Sequence, residues 1–109
     1  MIRKKLINPQ RIRGIEGSFA CIEHRFLRSG FWSTLNHHEL LLYFLLVLVA
    51  DHQGLSYYGY DKLCSLLGLH LDDYLPARNG LIDGDLIAFD GTLFQVLSLP
   101  ASPVARRAS

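Results

Sequence analysis

Basic side chains are nearly missing from the middle of this sequence. Residues 31–103 contain two, Lys62 and Arg78. Beside them stand eight acidic ones: Glu39, Asp51, Asp61, Asp72, Asp73, Asp83, Asp85 and Asp90. A stretch with that balance repels phosphates instead of attracting them. Cysteine is scarce as well. Cys21 and Cys64 cannot make a disulfide framework, so a reducing compartment is expected. No apolar run follows Arg3, Lys4 and Lys5 at the start, so a secretory signal is not expected and the expected address is cytoplasmic. The apolar run at residues 40–50 is eleven long. A membrane span needs about 20 such residues, so no membrane partner is expected.

Motifs for catalysis are lacking too. There is no glycine-rich phosphate loop and no nucleophile elbow. Asp83-Gly84-Asp85 is too short of oxygens for a calcium loop and has no closing glutamate. Cys64 and His70 lie six apart, but Cys64 falls in a helical core pattern with no activating neighbour. Cys21 and His24 have a ligand-like spacing, with His37 and His38 downstream. A tetrahedral zinc site wants a second close pair at matching spacing, and adjacent histidines on a helix point about 100° apart. The expectation is therefore no enzyme, no cofactor and no metal.

What is present is a core. Half of the 109 residues are apolar, which suits one domain with one core and argues against wholesale disorder. The organising stretch is residues 36–51. Asn36 is placed to cap a helix, and Glu39, three residues on, completes the capping-box spacing. Leu35 and Leu40 have the spacing of a hydrophobic staple. Gly54 follows Asp51, free to take a left-handed turn. A helix apolar on every side should be wrapped by the rest of the domain.

In front of it the charge reverses. Residues 1–30 hold Arg3, Lys4, Lys5, Arg11, Arg13, Arg25 and Arg28 against Glu16 and Glu23, a net +5. Residues 1–17 carry Pro9, Gly14 and Gly17, lack helical periodicity, and read as an extended basic arm. Its expected use is contact with phosphates; the plain alternative is a solvated tail. Residues 18–22 are rich in strand formers, Phe19 and Ile22 among them, and read as a strand; residues 24–29 read as a strand or one helical turn.

After Gly54, Leu55 to Tyr58 reads as an edge strand. A second helix covers residues 61–67, with Leu63, Leu66 and Leu67 buried and Gly68 stopping it. A third runs to Asp83, capped by Asp72 or Asp73. Capping by Asp72 would leave Pro76 harmless in the first turn. Leu75, Arg78, Leu81 and Ile82 repeat at helical spacing, and Gly84 ends the helix. Residues 86–89 and 92–99 flank Asp90-Gly91, the signal for a type I′ hairpin pairing Phe89 with Thr92, Ala88 with Leu93 and Ile87 with Phe94. Residues 100–109 are small, polar and proline-bearing and read as a disordered tail.

The order strand, long helix, short strand, short helix, tight turn, helix, hairpin resembles the winged helix-turn-helix domain. The class is α+β: a three-helix core with a C-terminal β-hairpin wing over residues 18–99, and an extended N-terminal arm. The run Phe26-Leu-Arg-Ser-Gly-Phe-Trp-Ser-Thr-Leu-Asn36 before the long helix is similar to N-terminal modules of plasmid and primosomal replication proteins and of small mobile-element regulators. The resemblance implies double-stranded DNA as partner. The third helix would enter a major groove through His70, Arg78 and Asn79, with Asp90-Gly91 as wing tip. Arg3, Lys4, Lys5, Arg11, Arg13, Arg25 and Arg28 would hold the backbone. This chain departs from a groove reader in its Asp72, Asp73 and Asp83 and in a wing without basic residues. Two functions follow. One is a DNA-binding transcriptional regulator or replication accessory, with a homodimer as one way to offset the acidic helix. The alternative is a winged-helix protein–protein interaction module that dimerises or binds another protein without touching DNA.

Overall fold

Asn36 and Glu39 exchange hydrogen bonds at the start of the longest apolar helix. In the computed structural model, which describes residues 4–104, the Glu39 N–H donates to the Asn36 side chain and the Asn36 N–H donates to the Glu39 carboxylate, each at 2.9 Å. This reciprocal cap also supplies the buried Glu39 carboxylate with a donor. Leu35 and Leu40 on either side are both buried.

Four α-helices follow one another: α1 (Arg25–Arg28), α2 (His37–Val49), α3 (Tyr60–Leu67) and α4 (Leu71–Asp83). Three short strands, β1 (Leu55–Ser56), β2 (Ile87–Phe89) and β3 (Phe94–Val96), form an antiparallel sheet in the order β1-β3-β2. The chain is thus α+β, four helices and a small sheet among the described residues. Its core joins Phe26 and Phe31 to Leu42, Tyr43 and Leu46 of α2, Leu63 of α3, Tyr74, Ala77 and Leu81 of α4, and Ile87 and Phe94 of the hairpin. Phe26 lies flat on Tyr43, ring centroids 5.0 Å apart and planes 4° from parallel. That stack seats the lead-in segment on α2.

Several expectations are corrected. The central helix stops at Val49, not Asp51, because Ala50 is already extended. Asp51 instead builds a turn, its carboxylate accepting from the Gln53 and Leu55 N–H groups at 2.8 and 3.0 Å. Nor is α2 wrapped on every side: Leu41 and Leu48 are 47% and 69% exposed. A chain of this size packs in two layers, which can cover only one side of the helix. On α3, Leu63 is fully buried and Leu67 half-buried, but Leu66 is exposed. Eight residues show their neighbours only a narrow stripe.

The α4 helix begins earlier than its aspartates suggest. His70 occupies the capping position without a side-chain bond, and Asp72 and Asp73 lie in the first turn, where the helix dipole favours them. Pro76 therefore falls inside the helix and cannot donate to the Asp72 carbonyl. Its buried stripe is Tyr74, Ala77 and Leu81; Leu75 and Arg78 are only half-buried and Ile82 is exposed. Ala77 is small enough to bring the helix close to its neighbours, which apolar periodicity alone does not signal.

The hairpin forms with a register two residues wider than expected: Phe89 pairs with Phe94, Ala88 with Gln95 and Ile87 with Val96. A type I′ turn needs positive φ at both Asp90 and Gly91, and only Gly91 has it, at 101°. Asp90 organises a four-residue loop instead, its carboxylate accepting from the Thr92 and Leu93 N–H groups at 2.9 and 2.7 Å. A slip of two keeps every side chain on its face, so the core tolerates it.

Residues 18–22 make no strand. They are exposed and irregular, since a strand without a paired neighbour leaves its N–H groups to water. Residues 4–17 are exposed throughout, with one tight turn at Pro9–Arg11. The radius of gyration is 16.1 Å, against about 13 Å for a compact chain of this length. At the other end, residues 99–101 are not loose: their carbonyls meet Arg25.

Candidate nucleic-acid interface

The arm is built around one local turn. Asn8 caps it, its side chain accepting from the Gln10 N–H at 3.1 Å, and Pro9 holds the first position. Pro fixes its own φ, so the turn needs little ordering. Ile12 returns the chain to extended backbone (φ −64°, ψ 132°). Lys4 and Lys5 precede the turn, Arg11 closes it and Arg13 follows, all four exposed. Among the described residues none of their side chains meets a carboxylate or any other hydrogen-bond partner. Arg3 lies outside the described residues. Arg28, in the last turn of α1, is exposed and also without a carboxylate partner among them.

Arg25, expected on the same positive surface, is used by the fold itself. Its guanidinium donates to the Pro100 carbonyl at 2.6 Å and to the Leu99 carbonyl at 3.0 Å. It also lies 5.6 Å from the Phe31 ring centre and 3.7 Å from the Glu23 carboxylate. Nothing local in the sequence signals these partners, some 75 residues away.

On α4 the outward face runs Asp72, Pro76, Asn79 and Asp83, all exposed and spaced for one side of a helix. His70 is exposed at its start. Arg78 is half-buried, its guanidinium 5.1 Å from the Phe89 ring centre and 5.9 Å from that of Tyr74. It ties α4 to β2. Its Nη2 also donates to the Asn79 side-chain oxygen at 3.2 Å. Of the three side chains expected near bases, one is committed to packing, one to its neighbour, and His70 alone is open. Two N–H groups, of Leu93 and then Thr92, hold the Asp90 carboxyl below the usual carboxylate range. The hairpin tip is therefore negative at neutral pH.

Cys21 and His24 are exposed before α1, and His37 and His38 open α2. Among the described residues no three of His, Cys, Asp and Glu gather as a metal site. Burial pushes the Cys64 thiol up, with Asp61 adding to the effect, which makes it a poor nucleophile. An open groove of about 820 Å³ runs beside Phe19, Ile22, Tyr43, Val47, Leu48 and Val96. Sequence periodicity missed it, because its walls come from three separate segments. Among the described residues no helix is long and apolar enough to cross a membrane.

Charge is thus divided by position: free cations on the arm and at Arg28, carboxylates on α4 and the hairpin tip. Comparison with protein-family models, with curated proteins and with solved structures returns no match.

Proposed function

We propose that this chain is a double-stranded DNA-binding protein of the winged helix-turn-helix type, a transcriptional regulator or replication accessory and not an enzyme. It holds phosphates through its arm. The packing of α2, α3 and α4, followed by a hairpin that pairs with the short strand after α2, supports the fold reading. One observation carries the function: Lys4, Lys5, Arg11 and Arg13 project from an exposed arm with no carboxylate partner among the described residues. Unpaired cations of this kind gain most from a polyanion, by releasing its counterions.

The acidic face of α4 makes the arm the main grip, with Arg28 on α1 and Arg3 at the start of the sequence adding to it. The measurement is a mobility shift on generic duplex DNA across a salt series. Four to five phosphate contacts give a log–log slope of roughly −4. Deleting residues 1–13 should flatten it and abolish the shift. If the truncated chain binds as the full chain does, the reading fails.

A second reading is favoured by the outward surface of α4, where Leu71 and Ile82 are exposed beside Asp72 and Asp83. Exposed apolar side chains among carboxylates suit a protein partner better than a phosphate backbone. A homodimer is the simplest form of it. Sedimentation across a concentration range separates the two, since a strict monomer that shifts DNA supports the first alone.

A further inference from the structure

We infer that the arm enters the minor groove of A·T-rich duplex DNA, with Arg11 and Arg13 as the side chains that read it; this rests on the DNA-binding reading above. Three features point there. The first is the backbone. The minor groove is about 6 Å wide, too narrow for a helix and wide enough for an extended chain. Around Ile12 the arm is extended, and every residue from 4 to 17 is exposed. No part of the body needs to open for it to insert.

The second is the choice and spacing of cations. Arg11 and Arg13 lie two residues apart, a step of roughly 6–7 Å in extended chain. Gly14 follows, and even a β-carbon there would meet nothing within 4 Å. Narrow A·T tracts concentrate negative potential, and Arg sheds its hydration more readily than Lys. Arg11 closes the turn and Arg13 follows it, while Lys4 and Lys5 precede it. That order places sequence-neutral phosphate contacts before the bend and groove-entering ones at its end and beyond.

The third is what the major groove would meet. The outward line of α4 carries Asp72 and Asp83, with Arg78 half-buried against Phe89. A carboxylate pair facing phosphates opposes deep docking of that helix. The chain from Arg13 to the start of α1 at Arg25 can span roughly 40 Å when extended, enough to reach a groove while the acidic body stays clear.

The test is fluorescence anisotropy of the full chain on three short labelled duplexes of equal length at one salt concentration: A·T, G·C and inosine·C. Inosine lacks the minor-groove amino group of guanine but keeps its major-groove edge, so it separates the two grooves. The expected result is that A·T and inosine·C both bind about tenfold tighter than G·C. A doubly substituted chain, Arg11→Lys with Arg13→Lys, should bring that ratio near one, chiefly through weaker binding to A·T and inosine·C. Both substitutions fall on exposed side chains, so folding is not at stake. Equal affinity for all three duplexes overturns the minor-groove inference and leaves arm-driven DNA binding standing. Inosine·C behaving as G·C assigns recognition to the major groove and overturns it too. Binding to none of them removes both this inference and the function it rests on.

Discussion

Arg25 reaches from the first short helix to the carbonyl of Pro100, 2.6 Å away, and so joins the two ends of the folded domain. The neighbouring Leu99 carbonyl takes a second bond at 3.0 Å. Carbonyls left by a tail would otherwise be served by water, so the net gain is that of partly exposed, charge-assisted bonds. Arg25→Ala should cost about 1–2 kcal/mol and lower the melting temperature by roughly 5–10 °C. The salt slope of DNA binding should not change, because this guanidinium already has its acceptors. A reduced slope with unchanged melting would return Arg25 to the phosphate-binding set.

Gly54 sits against β3 in a way no other residue can. Its φ is +86°, and a β-carbon there would lie 2.6 Å from the Val96 carbonyl oxygen. That oxygen is backbone and cannot swing aside. Gly54→Ala should therefore cost about 2–4 kcal/mol, strain and clash together. Gly91, at φ +101°, has open space around it, so Gly91→Ala should cost only the strain, about 1–2 kcal/mol. Gly14→Ala, with neither constraint, should stay within about 0.5 kcal/mol. Urea unfolding of the three variants checks the order.

Local signals in the sequence carried most of the helical part of the fold. The Asn36–Glu39 spacing marked the start of α2, and Gly68, at φ +68°, marked the end of α3. Both depend on residues within one turn of each other. What was not legible depends on residues far apart. The strand expected at residues 18–22 lacks a partner, and composition cannot say whether one is nearby. Arg25 read as a surface cation because its acceptors lie at the other end of the chain. The hairpin was legible but its register was not, since Asp90 can serve a two-residue turn or cap a four-residue one. Gly84 does stop α4, but at φ −78°, and the positive φ of 60° falls on Asp85, which no local signal marks. Of the candidate site, exposure of the arm was legible from charge and glycine content. The inward use of Arg78 was not, because it requires knowing that Phe89 packs over α4.

The two sides of α2 make a direct comparison of burial. Leu46 is fully buried, while Leu48, two residues on, is 69% exposed. Leu46→Ala removes methyl groups from a packed site and should cost about 2–5 kcal/mol. Leu48→Ala removes the same atoms from water and should change stability by less than about 0.5 kcal/mol. Alanine keeps helix propensity high in both, so backbone effects do not blur the difference. Thermal unfolding at low protein concentration reads it. If Leu48→Ala becomes costly only at high concentration, a second copy covers this side of α2 in solution.

Acid should loosen both turns that flank the sheet. The carboxyls of Asp51 and Asp90 are held below their ordinary range, by the N–H groups of Leu55 and Gln53 in one case and of Leu93 and Thr92 in the other. Each proton thus binds more weakly in the folded chain than in the unfolded one. The stability they contribute is complete above the unfolded carboxylate range, near pH 4. It is lost as pH falls through the lower folded values. Asn at these positions keeps an oxygen for the same N–H groups but cannot take up a proton. The double variant Asp51→Asn with Asp90→Asn should therefore melt lower than the parent at neutral pH. It should also lose less on acidification, so the two melting curves draw together as pH falls below the ordinary carboxylate range. Equal losses on acidification in both chains would mean that neither turn senses pH. The amide resonance of Leu93 gives a local check, since it should titrate below the ordinary carboxylate range in the parent and stay flat in the variant.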